Sequence, residues 1–258
     1  MLRFLHLKTC EENMLRTRIV PSSRRIVPEV EAAIEIAWRA TLARPGVNLF
    51  DGPVCRLEGL RSDAGGLNVD LSHTSYRIVV GTNFANPQMA DLHGPDVMGN
   101  PLGVSCGLIT SDGRLMMGRR NHTVAYYPGR IHPFAGSLEV KPVIDLFANV
   151  RRELYEELAL EASDLEHVLC LGAAEDAGLR HPEMIFAARA RLDSAAIERQ
   201  LDAAEHHGIW SVRHEPDAIS EALTTEDTLT PIARAVLLMC GRQDFGIEWF
   251  NSAAADHL

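Results

Sequence analysis

The 258-residue sequence lacks an apolar run of the roughly 20 residues that a membrane span requires, so no membrane partner is expected. It also lacks any C-x-x-C pair: Cys10, Cys55, Cys106, Cys170 and Cys240 are odd in number and far apart. Neither a disulfide framework nor a structural zinc site is expected, and reduced cysteines in the cytoplasm are the default. Eleven histidines without ligand spacing give no reason to expect zinc either. The start, MLRFLHLKTCEENMLRTR, is a short apolar patch broken by His6 and Lys8, with no small-residue cleavage site, so no signal peptide is expected. A basic stripe is missing too. Formal net charge is -10, and the arginine pairs at Arg24 and Arg25, Arg119 and Arg120, and Arg151 and Arg152 are scattered. A nucleic-acid surface draws its affinity from neutralised phosphates, so that class is set aside, whereas a small phosphate substrate needs only one or two local cations or a metal. There is no G-x-S-x-G elbow, no Walker loop, no internal repeat and no low-complexity tract.

What remains is the composition of a soluble globular protein, 46% hydrophobic and 6% aromatic, long enough for one catalytic domain with additions. Residues 16–20 read as a strand. Val27 to Leu42 reads as an amphipathic helix, with Val30, Ile34, Trp38 and Leu42 every fourth residue and Pro28 in its first turn. Val54 to Leu60 and Leu67 to Leu71, separated by Ser62-Asp63-Ala64-Gly65-Gly66, read as a hairpin. Pro87 to Pro101 reads as a loop, which suggests an amino-terminal α/β region over 1–95 and a catalytic domain with C-terminal helices over 96–258. Leu102 to Arg120, turning at Ser111-Asp112-Gly113, is a second hairpin. A loop with Pro128, Gly129, Pro133 and Gly136 leads to a helix from about Pro142 to Leu160. Strands follow at His167 to Ala174 and Glu183 to Leu192, then a helix at Ala195 to His206, a strand at Ile209 to Val212 and a helix at Pro231 to Leu238. The order is mixed α/β.

The chemistry is concentrated in Arg152-Glu153-Leu154-Tyr155-Glu156-Glu157-Leu158-Ala159-Leu160. Three carboxylates at i, i+3 and i+4 share one exposed helix face, where they repel one another. Arg152, four residues before Glu156, offsets part of that repulsion. A divalent cation would resolve the rest, and hard oxygen donors suit magnesium, which keeps few protein ligands and leans on substrate phosphates. Spacing alone leaves an ordinary solvated acidic face as an even alternative. The stripe Leu146, Val150, Leu154, Leu158 favours the metal reading, because a helix anchored by it can hold carboxylates rigidly.

These residues resemble the second half of the Nudix box, G-x5-E-x7-R-E-U-x-E-E-x-G-U, with Ala159 in place of its last glycine. The first half departs: Ile144 stands where the glutamate belongs and Leu138 where the glycine belongs, with Asp145 and Gly136 nearby. The resemblance implies a Nudix fold, a mixed sheet sandwiched between helices. It implies Glu153, Glu156 and Glu157 as ligands of Mg2+ (with Mn2+ as substitute) or as the water-activating base, Arg152 as the residue that orients them, and a backbone carbonyl at Ala135 or Gly136 in the metal's shell.

A second resemblance, over roughly residues 50–160, lies in His73-Thr74-Ser75-Tyr76-Arg77, Gly81-Thr82-Asn83-Phe84, Asn100-Pro101-Leu102-Gly103-Val104 and Asp145-Leu146-Phe147. It is to the branch of the family that cleaves UDP-glucose and UDP-galactose. In that reading Tyr76 borders the nucleotide, Arg77 grips phosphate and Asn83 belongs to the same wall; an interface tyrosine and a capping arginine are the plainer alternatives. Arg119, Arg120 and Arg130 flank the loop before the box, where one can face the diphosphate. Glu183 starts a strand where it can meet the sugar or activate water, although an exposed loop acid is the commoner finding. Three functions stay open: hydrolysis of a UDP-sugar to UMP and sugar 1-phosphate, cleavage of another nucleotide derivative such as ADP-ribose, and a catalytically silent nucleotide-binding module.

Overall fold

The computed structural model describes residues 1–44, 49–122, 124, 126–203 and 205–255. Among them a large mixed sheet runs in the order β1 (Leu2–His6), β9 (Leu165–Asp176), β10 (His181–Ala190), β5 (Gly103–Ile109), β6 (Arg114–Arg120) and β11 (His206–Arg213). Short β7 (Ile131–His132) pairs with β6, and β8 (Phe134–Ser137) pairs with β5. Only β10 and β5 run parallel in this sheet; the other pairings are antiparallel. A smaller sheet holds β2 (Leu15–Ile19), β4 (Gly66–Ser75) and β3 (Pro53–Asp63) in that order.

Strand alternation sends successive side chains to opposite faces, and each face meets a helix. On one face Val104, Cys106, Met116, Met184 and Phe186 pack with Leu146, Phe147, Val150, Leu154 and Leu158 of α4 (Leu146–Leu158). Leu57, Leu67, Val69 and Leu71 of the smaller sheet join the same core. On the other face Ile109, Leu115, Met117, Leu171 and Ile185 pack with Ile232, Val236 and Leu237 of α7 (Pro231–Phe245). The expected sandwich of a mixed sheet between helices is therefore the architecture observed. A third cluster seats α1 (Pro28–Leu42), through Val30 and Ile34, on Ala90, Val97 and Met98.

Several local expectations need correction. The helix of the box starts at Leu146 rather than Pro142, because the Asp145 carboxylate accepts the Ala148 N–H at 3.0 Å and caps it there. It ends at Leu158 rather than Leu160, because Ala159 takes φ 51° and ψ 29°, the left-handed turn that closes helices and is usually given to glycine. The Pro87 to Pro101 loop contains a short helix, α3 (Met89–His93), and Tyr76 to Phe84 is helical, beginning with α2 (Tyr76–Val79). The helix expected over Ala195 to His206 is only α5 (Ser194–Glu198), capped by Asp193; His206 already belongs to β11, and Ala204 lies outside the described residues. Two helices carried no decisive sequence signal, α6 (Pro216–Thr225) and α8 (Ile247–Ala254). No helix among the described residues is long and apolar enough to cross a membrane.

Candidate active site

Helix α4 and strand β8 build the acidic centre. The apolar stripe turns Glu153 and Glu157 towards the sheet, leaving them 8% and 4% exposed, while Glu156 points to solvent. The single exposed face expected for all three carboxylates is thus not what forms. Glu153 lies over Gly136: a Cβ there would stand 1.9 Å from its Oε1. Arg152 donates to Glu153 Oε1 at 2.6 Å and to Glu156 Oε2 at 2.8 Å. Glu157 accepts the Ala135 N–H on Oε1 at 3.2 Å, and His206 Nε2 lies 2.7 Å from its Oε2.

Burial controls the electrostatics. It raises the Glu153 carboxyl to about 7, helped by Glu157 and Glu156 and opposed by Arg152. It also pushes Glu157 up, against the pull of His206 and the Ala135 amide. The all-oxygen donors of α4 suit a hard divalent ion. Among the described residues, Glu157, Glu205 and His206 also bring one ligand atom each within 4.8 Å of one another. Sequence spacing pointed to neither Glu205 nor His206, whose approach to Glu157 spans 49 residues. In the altered first half of the box, Leu138 and Ile144 are core residues, 0% and 5% exposed, so those positions supply packing rather than ligands.

A second cluster, polar and aromatic, lies where β5 and β10 begin. Glu183 pairs in register with Gly103 and is 2% exposed rather than a loop acid at the surface. Ser105 donates to its Oε2, and His181 Nδ1 lies 3.2 Å from its Oε1, a distance without hydrogen-bond geometry that makes the contact electrostatic. Burial opposes its charge, yet His181, His132 and Ser105 together hold its carboxyl below the usual range. Burial also keeps His132 neutral, with its pKa lowered to about 3. Phe84, Tyr126 and His181 surround the cluster at ring-centroid distances of 5.5 to 6.0 Å, and Tyr76 meets Phe84 at 6.4 Å. Arg120 lies over the Tyr126 ring at 5.6 Å. Tyr76, Arg120 and Glu183 are therefore brought together.

The other expected contacts are engaged elsewhere. Arg77 sits 3.2 Å from Glu35 and 3.4 Å from Asp51. Arg130 donates to the Asp227 carbonyl. Asn83 is fully buried, its amide donating to the carbonyls of Leu179 and Arg180 and thereby holding the turn that leads into β10. Tyr126, Ser105 and His181 were missed because nothing in their local sequence marks them; the pairing of β5 with β10 brings Ser105 and His181 together, and the loop after β6 adds Tyr126.

No protein-family model matches the chain. It is 28% identical to the uridine diphosphate glucose pyrophosphatase NUDT22 of Homo sapiens over 276 aligned residues, covering 90% of this chain and 88% of the relative. The NUDT22 protein of Bos taurus is 27% identical, with 90% and 92% covered. Along nine-tenths of its length the chain is thus similar to these two NUDT22 proteins. Among solved structures, the Nudix domain of Shewanella oneidensis NrtR in complex with ADP ribose matches 62% of the chain at 15% identity and a TM-score of 0.41, too slight a likeness to carry an argument. This chain keeps the acidic second half of the box on α4, and Leu138 and Ile144 of the first half are core.

Proposed function

We propose that this protein is a Nudix hydrolase that cleaves UDP-glucose or UDP-galactose to UMP and the sugar 1-phosphate with magnesium. The observation that carries the reading is the pair of buried carboxylates, Glu153 and Glu157, held against β8 with Arg152 beside them. The choice of substrate is supported by the activity in the name of the relatives matched along most of the chain, and by the Tyr76 to Phe84 segment.

Glu153, Glu156 and Glu157 would hold the cation, with the Gly136 carbonyl beside them. Bound magnesium supplies charge neutralisation across the diphosphate and a lowered pKa for the attacking water. Arg152 orients Glu153 and Glu156, and one of the carboxylates takes up the water's proton. Residues 1–95 contribute Tyr76 and Phe84 to the nucleotide side, while 96–258 contribute Arg120, Tyr126 and Glu183, so substrate would bridge both parts of the chain. Arg120, whose Nε donates to the Tyr126 carbonyl at 2.8 Å and whose guanidinium lies over the Tyr126 ring, belongs to that cluster, whereas Arg77 and Arg130 are engaged away from it, so Arg120 is the better candidate to meet phosphate there. Five buried free cysteines suit a reducing cytoplasm.

Turnover of a panel of UDP-glucose, UDP-galactose, ADP-glucose and ADP-ribose tests the specificity. The UDP-sugars should give the highest kcat/KM. A preference for ADP-ribose would move the protein to another branch, and binding without turnover of any member would make it a silent module.

A further inference from the structure

His206 opens β11 at a bulge, where the register with β6 shifts between His206 and Gly208. Its side chain is 1% exposed. The ring has room because Gly118 of β6, two residues before its register partner Arg120, carries no side chain; a Cβ there would stand 2.3 Å from ring atoms Cε1 and Nδ1. Phe134 closes another side, edge-on, at 5.8 Å and 86°. As mere filling, a histidine is a poor choice here: its Nδ1 is buried without a hydrogen-bond partner, which costs the folded state the hydration of that nitrogen. What the ring does make is the 2.7 Å contact from Nε2 to Glu157 Oε2, while Ala135 N–H holds Oε1 at 3.2 Å. Two donors thus fix the carboxylate from two sides, and of its about four acceptor sites two stay free for a cation.

We propose that His206 is a positioning residue of the hydrolytic centre, donating Nε2–H to Glu157 and fixing that carboxylate in its cation-holding orientation. The proposal rests on the reading that Glu157 is a metal ligand. Groups that orient a ligand in this way typically account for 10–100-fold in metal affinity or activity.

The test compares the full-length protein with His206→Gln and His206→Leu. Glutamine can place an amide N–H near the position of Nε2, whereas leucine fills the slot without a donor. Three quantities are read: Mn2+ affinity by electron paramagnetic resonance without substrate, kcat and KM for UDP-glucose with magnesium, and Tm. His206→Leu should weaken Mn2+ binding and lower kcat, each by about 10–100-fold, with KM near wild type. His206→Gln should stay near wild type in all three. The proposal is overturned if folded His206→Leu binds Mn2+ as wild type does. It is equally overturned if both variants are equally defective at an unchanged Tm, since a direct ligand or the ring shape itself would then be what matters. Should the wild type turn over no nucleotide sugar, the substrate reading fails while the Mn2+ titrations still judge His206.

Discussion

Gly136→Ala is the most revealing single perturbation of the acidic centre. The added Cβ would lie 1.9 Å from Glu153 Oε1, 2.1 Å from Cδ and 2.6 Å from Oε2, whereas ordinary contact begins at 3.4 Å. The carboxylate must therefore retreat by 3.4 minus 1.9, or about 1.5 Å, and the Arg152 contact at 2.6 Å must move with it. Misplacement of a positioned group by about 1 Å costs roughly 100-fold in rate, which corresponds to about 2.7 kcal/mol of barrier. Folding should suffer little, because the displaced atoms are the end of a flexible side chain and alanine is favoured over glycine within a strand by about 0.5–1 kcal/mol. Phosphate released by alkaline phosphatase from the products of UDP-glucose cleavage measures the rate, and thermal unfolding by circular dichroism measures Tm. The expected outcome is a kcat loss of at least about 100-fold at nearly unchanged Tm. Undiminished kcat would refute the reasoning, as would a loss explained by a collapsed Tm.

Three further outcomes follow from the same geometry. A Glu153 carboxyl raised to about 7 stabilises the metal-free fold below its ordinary value of 4.5 and loses that contribution as pH rises through 7, by up to about 3 kcal/mol; Glu153→Gln should flatten this decline in urea titrations compared across pH. Ala159→Gly relieves a left-handed alanine at the end of α4 and should raise stability by about 1 kcal/mol with kcat unchanged, measured by denaturant unfolding. Arg77→Ala removes two partly exposed ion pairs and should cost under about 1 kcal/mol, while Arg120→Ala should lower kcat/KM for UDP-glucose more than Arg77→Ala does; the reverse order would return the phosphate contact to Arg77.

The part of this molecule legible in the sequence was the part that is periodic. Leu146, Val150, Leu154 and Leu158 announced α4 and its buried stripe, and the acidic residues beside them marked the candidate site. Periodicity did not show that Glu153 and Glu157 roll inward with that stripe, because Glu153 needs the room left by Gly136 and Glu157 is held by the Ala135 amide and His206. The helix end was obscured by Ala159, which adopts a glycine conformation without being glycine. Strand β8 escaped notice because it is short and embedded among glycine and proline. Contacts across long separations were beyond pattern reading altogether. The pairing of Glu157 on α4 with His206 on β11, and the gathering of Tyr76, Arg120, Tyr126 and Glu183 from a helix, a loop and two strands, are produced by the tertiary fold rather than by local spacing. Arg77 looked like a phosphate ligand because Glu35 and Asp51, which occupy it, lie 42 and 26 residues away.

The central claim is that the carboxylates of α4 run a metal-assisted hydrolysis of a nucleotide sugar. Its most direct test is 31P NMR of UDP-glucose incubated with the full-length protein and magnesium, alongside Glu157→Gln and an EDTA control. The account predicts UMP and glucose 1-phosphate from the wild type alone, with both controls silent. Release of UDP and glucose, or the same products at undiminished rate from Glu157→Gln or in EDTA, would contradict it.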